Sequence, residues 1–268
     1  MKQRVISAAL LAPVAILLVI LGGTPYFIGI SLMCLGGLWE LCAMLGPMSG
    51  QVPSKSWRYL TLVSGAIVLF GVFFSHYRAG AAQIAAAGAL MLSLGGLLLG
   101  GLPTRRILEW AIGAGSIAYI IGLGLHFILL RDTSQGLAWT ILACAVTWST
   151  DIGALFVGRS FGKRPFFHSI SPKKTLEGAG GGLLAGTLAA TAVALVAGLH
   201  VPVLLAILIG VTVSASAQAG DLVESLVKRE AGVKDSGTLI PGHGGVLDRI
   251  DSLLFAVTVV YYWRLCFP

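Results

Sequence analysis

The chain has 268 residues, 56% of them hydrophobic and only 11% charged, with a mean hydropathy of +0.91 and a formal net charge of +7. A soluble domain carries about a quarter charged residues, so this composition excludes a water-soluble globular protein and indicates a polytopic membrane protein. The excess of Lys and Arg lies in short stretches between apolar runs, which suits loops beside anionic headgroups and not a nucleic-acid surface.

Nine apolar runs are predicted as membrane-spanning helices, at about 5–23, 26–47, 58–75, 80–101, 107–130, 137–158, 179–199, 201–220 and 250–266. Each has roughly 17–24 residues, enough to cross a hydrocarbon core of about 30 Å as helix. A closed barrel is excluded because the runs are continuous, not alternating, and far longer than a barrel strand. The first run follows Lys2 and Arg4 as a signal peptide would. It is long for one and has no clear small-x-small cleavage site, so it is read as a helix. With the N-terminus inside, fifteen of the eighteen Lys and Arg fall on the inner side, leaving Arg78, Arg131 and Arg264 outside. That asymmetry is what the positive-inside rule requires. The expected fold is all-α, with residues 1–268 forming a single transmembrane catalytic domain. N-terminal helices would occupy about 1–135, and the catalytic helices and cytoplasmic loops about 136–268.

In the first half the loops are short and poor in acids. Glu40, after Trp39, lies well inside an apolar run, where an inter-helix hydrogen bond and a site role are equally good explanations. Glu109 follows Arg105 and Arg106 at a helix start and is read as charge pairing; His126, mid-run, is read as hydrogen-bonded structure. Gly96/Gly100 and Gly182/Gly186 have the small-xxx-small spacing that lets helices approach closely, which permits a homodimer without requiring one. The four cysteines form no CxxC or Cys/His metal spacing and are read as small apolar residues.

Asp151, in WSTDIGALF, falls about two helical turns from the inner end of its run and leads into a basic loop; it is assigned a functional role. That loop, RSFGKRPFFHSISPKKTLEG, interleaves bases with Phe161, Phe166 and Phe167, a composition suited to a lipid phosphate at the interface. It is not a P-loop, because Gly-x-x-x-Gly-Lys-Arg has the wrong spacing and lacks Ser or Thr after Lys.

The densest charge lies at 220–252, GDLVESLVKREAGVKDSGTLIPGHGGVLDRIDS. If the eighth run continues as helix, Asp221, Glu224, Ser225 and Lys228 share one face at i, i+3, i+4 and i+7. Asp248 and Asp251 are again i, i+3 at the entry to the ninth run. Carboxylates at two helix ends suit a divalent cation, and Mg²⁺ favours one or two carboxylates plus substrate phosphates. Lys228, Arg229, Lys234 and Arg249 suit phosphate oxygens. The run from Pro241 to Gly245, PGHGG, offers backbone N–H groups to an anion. Acids for metal beside bases for phosphate is a phosphoryl-transfer composition.

The same residues carry a family resemblance. Ser225-x-x-Lys228-Arg229, then Lys234-Asp235, then Pro241-x-His243-Gly244-Gly245-x-x-Asp248-Arg249-x-Asp251 resembles the signature of the phosphatidate cytidylyltransferases, or CDP-diacylglycerol synthases. Ser171-Pro172-Lys173-Lys174-Thr175-x-Glu177-Gly178, Asp151-x-Gly153-Ala154 and the opening MKQRVISA are similar to bacterial members. The resemblance implies an enzyme that makes CDP-diacylglycerol and pyrophosphate from CTP and phosphatidic acid, with Mg²⁺ or Mn²⁺ as cofactor. By that resemblance Asp221 and Asp248 hold the metal ions. Lys228, Arg229, Lys234, Asp235, His243, Arg249 and Asp251 line the nucleotide-phosphate site, completed by Ser171, Lys173, Lys174 and Thr175. Ser225 and Asp151 are counted with the substrate-binding residues, and Asp221, Lys228, Asp248 and Asp251 with the catalytic ones. The expected location is a bacterial inner membrane with the N-terminus and active site cytoplasmic. The sequence leaves open acyl-chain preference and whether a monovalent cation assists. A CTP-dependent lipid kinase would release CDP instead of pyrophosphate. A transporter would spread its ionisable groups through the bilayer depth, whereas here most crowd one face.

Overall fold

A backbone crossing lipid must satisfy its own N–H and C=O groups, and for continuous apolar runs only helix does so. The computed structural model describes residues 2–46, 55–75, 80–98, 103–242 and 244–267, which are helical with connecting loops and no strand beyond two isolated bridges. Its α-helices are α1 (Lys2–Leu21), α2 (Gly23–Leu45), α3 (Lys55–Ser75), α4 (Ala81–Gly95), α5 (Pro103–Ser116), α6 (Leu123–Arg131), α7 (Gly136–Phe161), α8 (Leu176–Val196), α9 (Val203–Glu230) and α10 (Leu247–Leu265).

Among the described residues seven stretches are long and apolar enough to cross a membrane: α2, Ser56–Ser75, Ala81–Leu98, Arg106–Arg131, α7, α8 and α9. The other two predicted runs are also helical. Within α1, Ala12–Leu21 is a shorter apolar stretch. In α10 the charges of Asp248, Arg249, Asp251 and Arg264 depress the hydropathy. The predicted run at 107–130 is not one regular helix, because a π-helical stretch, Ile117–Gly122, joins α5 to α6.

Two compact units emerge. The first comprises Met1–Leu125 and Glu230–Asp248, the second His126–Arg229 and Arg249–Pro268. In the first unit Phe27 stacks on Phe73 with ring centroids 4.4 Å apart, and Leu38, Leu41, Leu69, Ile120 and Ile121 are buried. The guanidinium of Arg58 lies 3.9 Å from the centroid of the Trp39 ring, a cation–π contact that lets a charge sit beside apolar helices.

The second unit is organised by close helix approach. A Cβ on Gly182 would come 2.8 Å from the Thr150 carbonyl of α7, and one on Gly186 would overlap Thr150 Oγ1 and Ser214 Oγ. The Gly182/Gly186 spacing therefore serves packing of α8 against α7 and α9, as expected of small-xxx-small pairs. The opposite side of α8 leaves Leu184, Leu188 and Leu195 exposed, as a lipid-facing surface would. Residue Gly100, from the other such pair, lies outside the described residues. His126 packs edge-on against Tyr261 at 5.3 Å, a structural environment for that histidine.

Candidate active site

In the second unit the basic loop between α7 and α8 is a built structure, not a loose tether. Thr175 is the N-cap of α8: its backbone is extended and its Oγ1 accepts the Gly178 N–H at 3.1 Å. Glu177 Oε2 accepts the N–H groups of Lys163 and Arg164 at 3.0 and 3.1 Å, tying the start of the loop to the first turn of α8. The Phe166 N–H donates to Lys174 O and the Leu176 N–H to Arg164 O, so the loop doubles back on itself. Gly158 and Gly178 allow this, since a Cβ on either would crowd Thr175 Oγ1 at 3.2 and 3.0 Å.

The folded loop walls a cavity of about 690 Å³ lined by Asp151 and Arg159 of α7, Lys173, Lys174 and Thr175 of the loop, and Asp221 of α9. Asp221 is there because α9 does continue as helix to Glu230, which places Asp221, Glu224, Ser225 and Lys228 on one face as the spacing predicts. Across the cavity Lys174 Nζ meets Asp221 Oδ2 at 2.5 Å, with the two side chains 27% and 35% exposed. Ser225 Oγ donates to Asp221 Oδ1 at 3.4 Å. Asp151 feels the repulsion of Asp221 and Asp251 and the attraction of Lys174. The lining thus mixes two carboxylates, Asp151 and Asp221, with three bases, Arg159, Lys173 and Lys174, a composition that suits phosphate oxygens.

On that same face lies a residue the sequence reading noted but did not count in the site. Glu224 is buried and forms an i, i+4 ion pair with Lys228 at 2.5 Å. The buried Asp251, whose Oδ1 accepts the Ser252 N–H at 2.7 Å, lies close enough to interact with it. Lys228 and Asp251 are thus gathered around Glu224. Arg229 is exposed and its Nε donates to Ile170 O at 3.2 Å, near Ser171, whose carbonyl accepts the Lys174 N–H. Arg249 is exposed at the start of α10.

The first unit holds the remaining signature residues. The described residues among 231–246 form a loop turned by Gly242 and Gly244, with φ of 78° and 84°, conformations that suit glycine. The Ile240 N–H donates to Gly244 O at 3.0 Å and closes the turn. Asp248 Oδ2 accepts the N–H of Gly245 at 2.8 Å and that of Ser236 at 3.0 Å. The bond to Gly245 ties the first turn of α10 back to the loop that precedes it. Lys234 and Asp235 are exposed, with Asp235 flanking Gly244. His243 lies outside the described residues.

Glu40 resolves in favour of contact with this loop. Its Oε2 accepts from Ser236 Oγ at 3.1 Å and from the Leu247 N–H at 2.9 Å. A partner some two hundred residues away leaves no local signal, whereas Glu224 could have been found from its helical spacing to Lys228. Among the described residues no three His, Cys, Asp or Glu side chains converge as a ready metal cluster. The donors available are single hard carboxylates, the kind that Mg²⁺ supplements with water and phosphate oxygens.

Comparison with known proteins agrees with this chemistry. A phosphatidate cytidylyltransferase of Bacillus subtilis (strain 168) is 39% identical over 270 residues, spanning 98% of this chain and 97% of its own length. One from Synechocystis sp. is 36% identical over 293 residues, spanning 97% of this chain and 95% of its own length. A third, from Staphylococcus saprophyticus, is 42% identical over 146 residues, or 54% of this chain and 55% of its own. The profile described as the cytidylyltransferase family matches residues 2–267, nearly end to end, and this chain belongs to that family.

Proposed function

We propose that this membrane protein catalyses cytidylyl transfer from CTP to phosphatidic acid, giving CDP-diacylglycerol and pyrophosphate. The observation that carries the reading is the cavity of the second unit, where Asp221 meets Lys174 beside Lys173, Arg159 and Asp151 in a chain of this family. A phosphate oxygen of phosphatidic acid attacks the α-phosphorus of CTP; the new P–O bond forms as the bond to the β-phosphate oxygen breaks, and pyrophosphate leaves. The second pKa of a phosphomonoester is about 6, so the nucleophile is already largely ionised near neutral pH and demands no strong protein base.

Asp221 and Asp248 are the proposed metal-binding carboxylates. Divalent ions held by these carboxylates, Mg²⁺ or Mn²⁺, would supply charge neutralisation to the triphosphate. Lys173, Lys174, Lys228, Arg229, Lys234 and Arg249 would hold phosphate oxygens, Arg through its planar fork and Lys as a point charge. Ser171, Thr175, Ser225, Asp235, His243 and Asp251 complete the proposed site, and Asp151 shapes its field. Nine crossings, a cytoplasmic N-terminus and a bacterial inner membrane follow the sequence pattern and are part of the same proposal, which permits a homodimer without requiring one.

The test is to purify the protein in detergent and supply phosphatidic acid, Mg²⁺ and CTP labelled at its α-phosphate. Label in the lipid phase, matched by pyrophosphate release and abolished by chelator, supports the reading. Release of CDP with label remaining in water supports the lipid-kinase alternative. A folded protein that binds no CTP overturns both.

A further inference from the structure

Glu40 is buried to 3% exposure in α2, an otherwise apolar helix, and the proposed chemistry gives it no direct part. A carboxylate in such a place is retained for what it holds. Its Oε2 receives the Ser236 hydroxyl and the Leu247 N–H, so it grips both ends of the 236–247 stretch. Gly36, one turn earlier on the same face of α2, is where Val246 rests; a Cβ there would touch Val246 Cγ2 at 3.4 Å. Gly237 and Gly245 press so closely that a Cβ on either would overlap the Glu40 carboxylate. Ser236 then relays the grip: its N–H donates to Asp248 Oδ2, and its Oγ accepts the Asp248 N–H at 3.3 Å. Gly245, packed on Glu40, supplies the second N–H to the same Oδ2. Glu40, Ser236, Gly245 and Asp248 therefore form one connected network within the first unit.

We propose that Glu40 is a positioning residue for cytidylyl transfer: it clamps residues 236–247 to α2 and, through Ser236 and Gly245, fixes the carboxylate of Asp248. The inference rests on the proposed role of Asp248 in that reaction. Glu40 itself touches no substrate.

The experiment compares wild type, Glu40→Ala, Glu40→Gln, Ser236→Ala and the Glu40→Ala/Ser236→Ala double variant, purified in detergent. Each is assayed with CTP, phosphatidic acid and Mg²⁺, and by amide hydrogen exchange of peptides within 236–247. Glu40→Ala is expected to lower kcat about 100-fold or more while KM for phosphatidic acid stays within about threefold. Glu40→Gln, which keeps an oxygen for both hydrogen bonds, should recover to within about tenfold of wild type. The double variant should fall no more than about threefold below Glu40→Ala alone, because both changes cut the same link. Exchange within 236–247 should accelerate about tenfold or more in Glu40→Ala, with α8 peptides unchanged.

Wild-type turnover in Glu40→Ala, additive losses in the double variant, or unchanged exchange within 236–247 would each overturn the proposal. If Glu40→Ala does not fold, Glu40→Gln and Ser236→Ala decide it: normal exchange in Ser236→Ala with full activity overturns the relay. Should wild type itself fail to transfer the cytidylyl group, the proposed function falls. The exchange arm would still judge the clamp, with acceleration upholding it and no change removing it.

Discussion

Replacing Asp248 by Asn separates the structural from the chemical work of that carboxylate. One oxygen of Asp248 accepts two backbone N–H groups, from Ser236 at 3.0 Å and Gly245 at 2.8 Å. Hydrogen bonds to a charged acceptor contribute about 1.5–3 kcal/mol each and neutral ones about 0.5–1.5. Asn keeps an oxygen at that point, so the stability loss should be about 1 kcal/mol per bond, about 2 in all. Ala removes the acceptor of both bonds and leaves the N–H groups of the buried Ser236 and Gly245 unpaired, an additional cost of about 1–3 kcal/mol each. The chemical effect should be far larger. Removing one group that stabilises charge in a transition state costs about 10²–10³ in kcat, or roughly 3–4 kcal/mol. Asp248→Asn is therefore expected to melt only slightly below wild type in detergent while losing at least about 100-fold in transfer of α-labelled CTP to lipid. Asp248→Ala should be equally inactive and melt lower. Activity of Asp248→Asn within tenfold of wild type would refute the assignment of this carboxylate to metal or phosphate.

Lys174→Ala removes the partner of Asp221 across the cavity. Because both side chains are about a third exposed, stability should change by less than about 1 kcal/mol, while kcat/KM for CTP falls about 100-fold. Thermal melting and the labelled-lipid assay check the two parts. Gly186→Leu should prevent normal packing of α8 against Thr150 and Ser214 and abolish the monodisperse peak in size-exclusion chromatography. Gly186→Ala, with a smaller overlap, should destabilise by about 1–3 kcal/mol. Thr175→Val should lose the α8 N-cap at a cost of about 1 kcal/mol, and Thr175→Ser should restore it, measured by melting temperature. Chelation by EDTA should abolish turnover of wild type, and added Mg²⁺ should restore it.

Much of the molecule is legible without coordinates. Helical architecture follows from apolar runs of bilayer length, since lipid leaves a continuous run no other way to satisfy its backbone. The face shared by Asp221, Glu224, Ser225 and Lys228 follows from helical periodicity once α9 extends past its apolar part. The signature residues at 225–251 are local in sequence, so their chemistry can be read from type and spacing. Tertiary structure alone decided what depends on distant partners. The Lys174–Asp221 pair joins a loop to a residue of α9 that lies 47 positions away, and no periodicity links them. The Glu177 carboxylate is diverted to order the basic loop through two backbone N–H groups, a choice visible only once that loop has doubled back. Glu40 shows the difference most plainly. Its sequence neighbours are apolar, and only the fold brings Ser236 and Leu247 to it, because burying a carboxylate requires donors that local sequence does not supply.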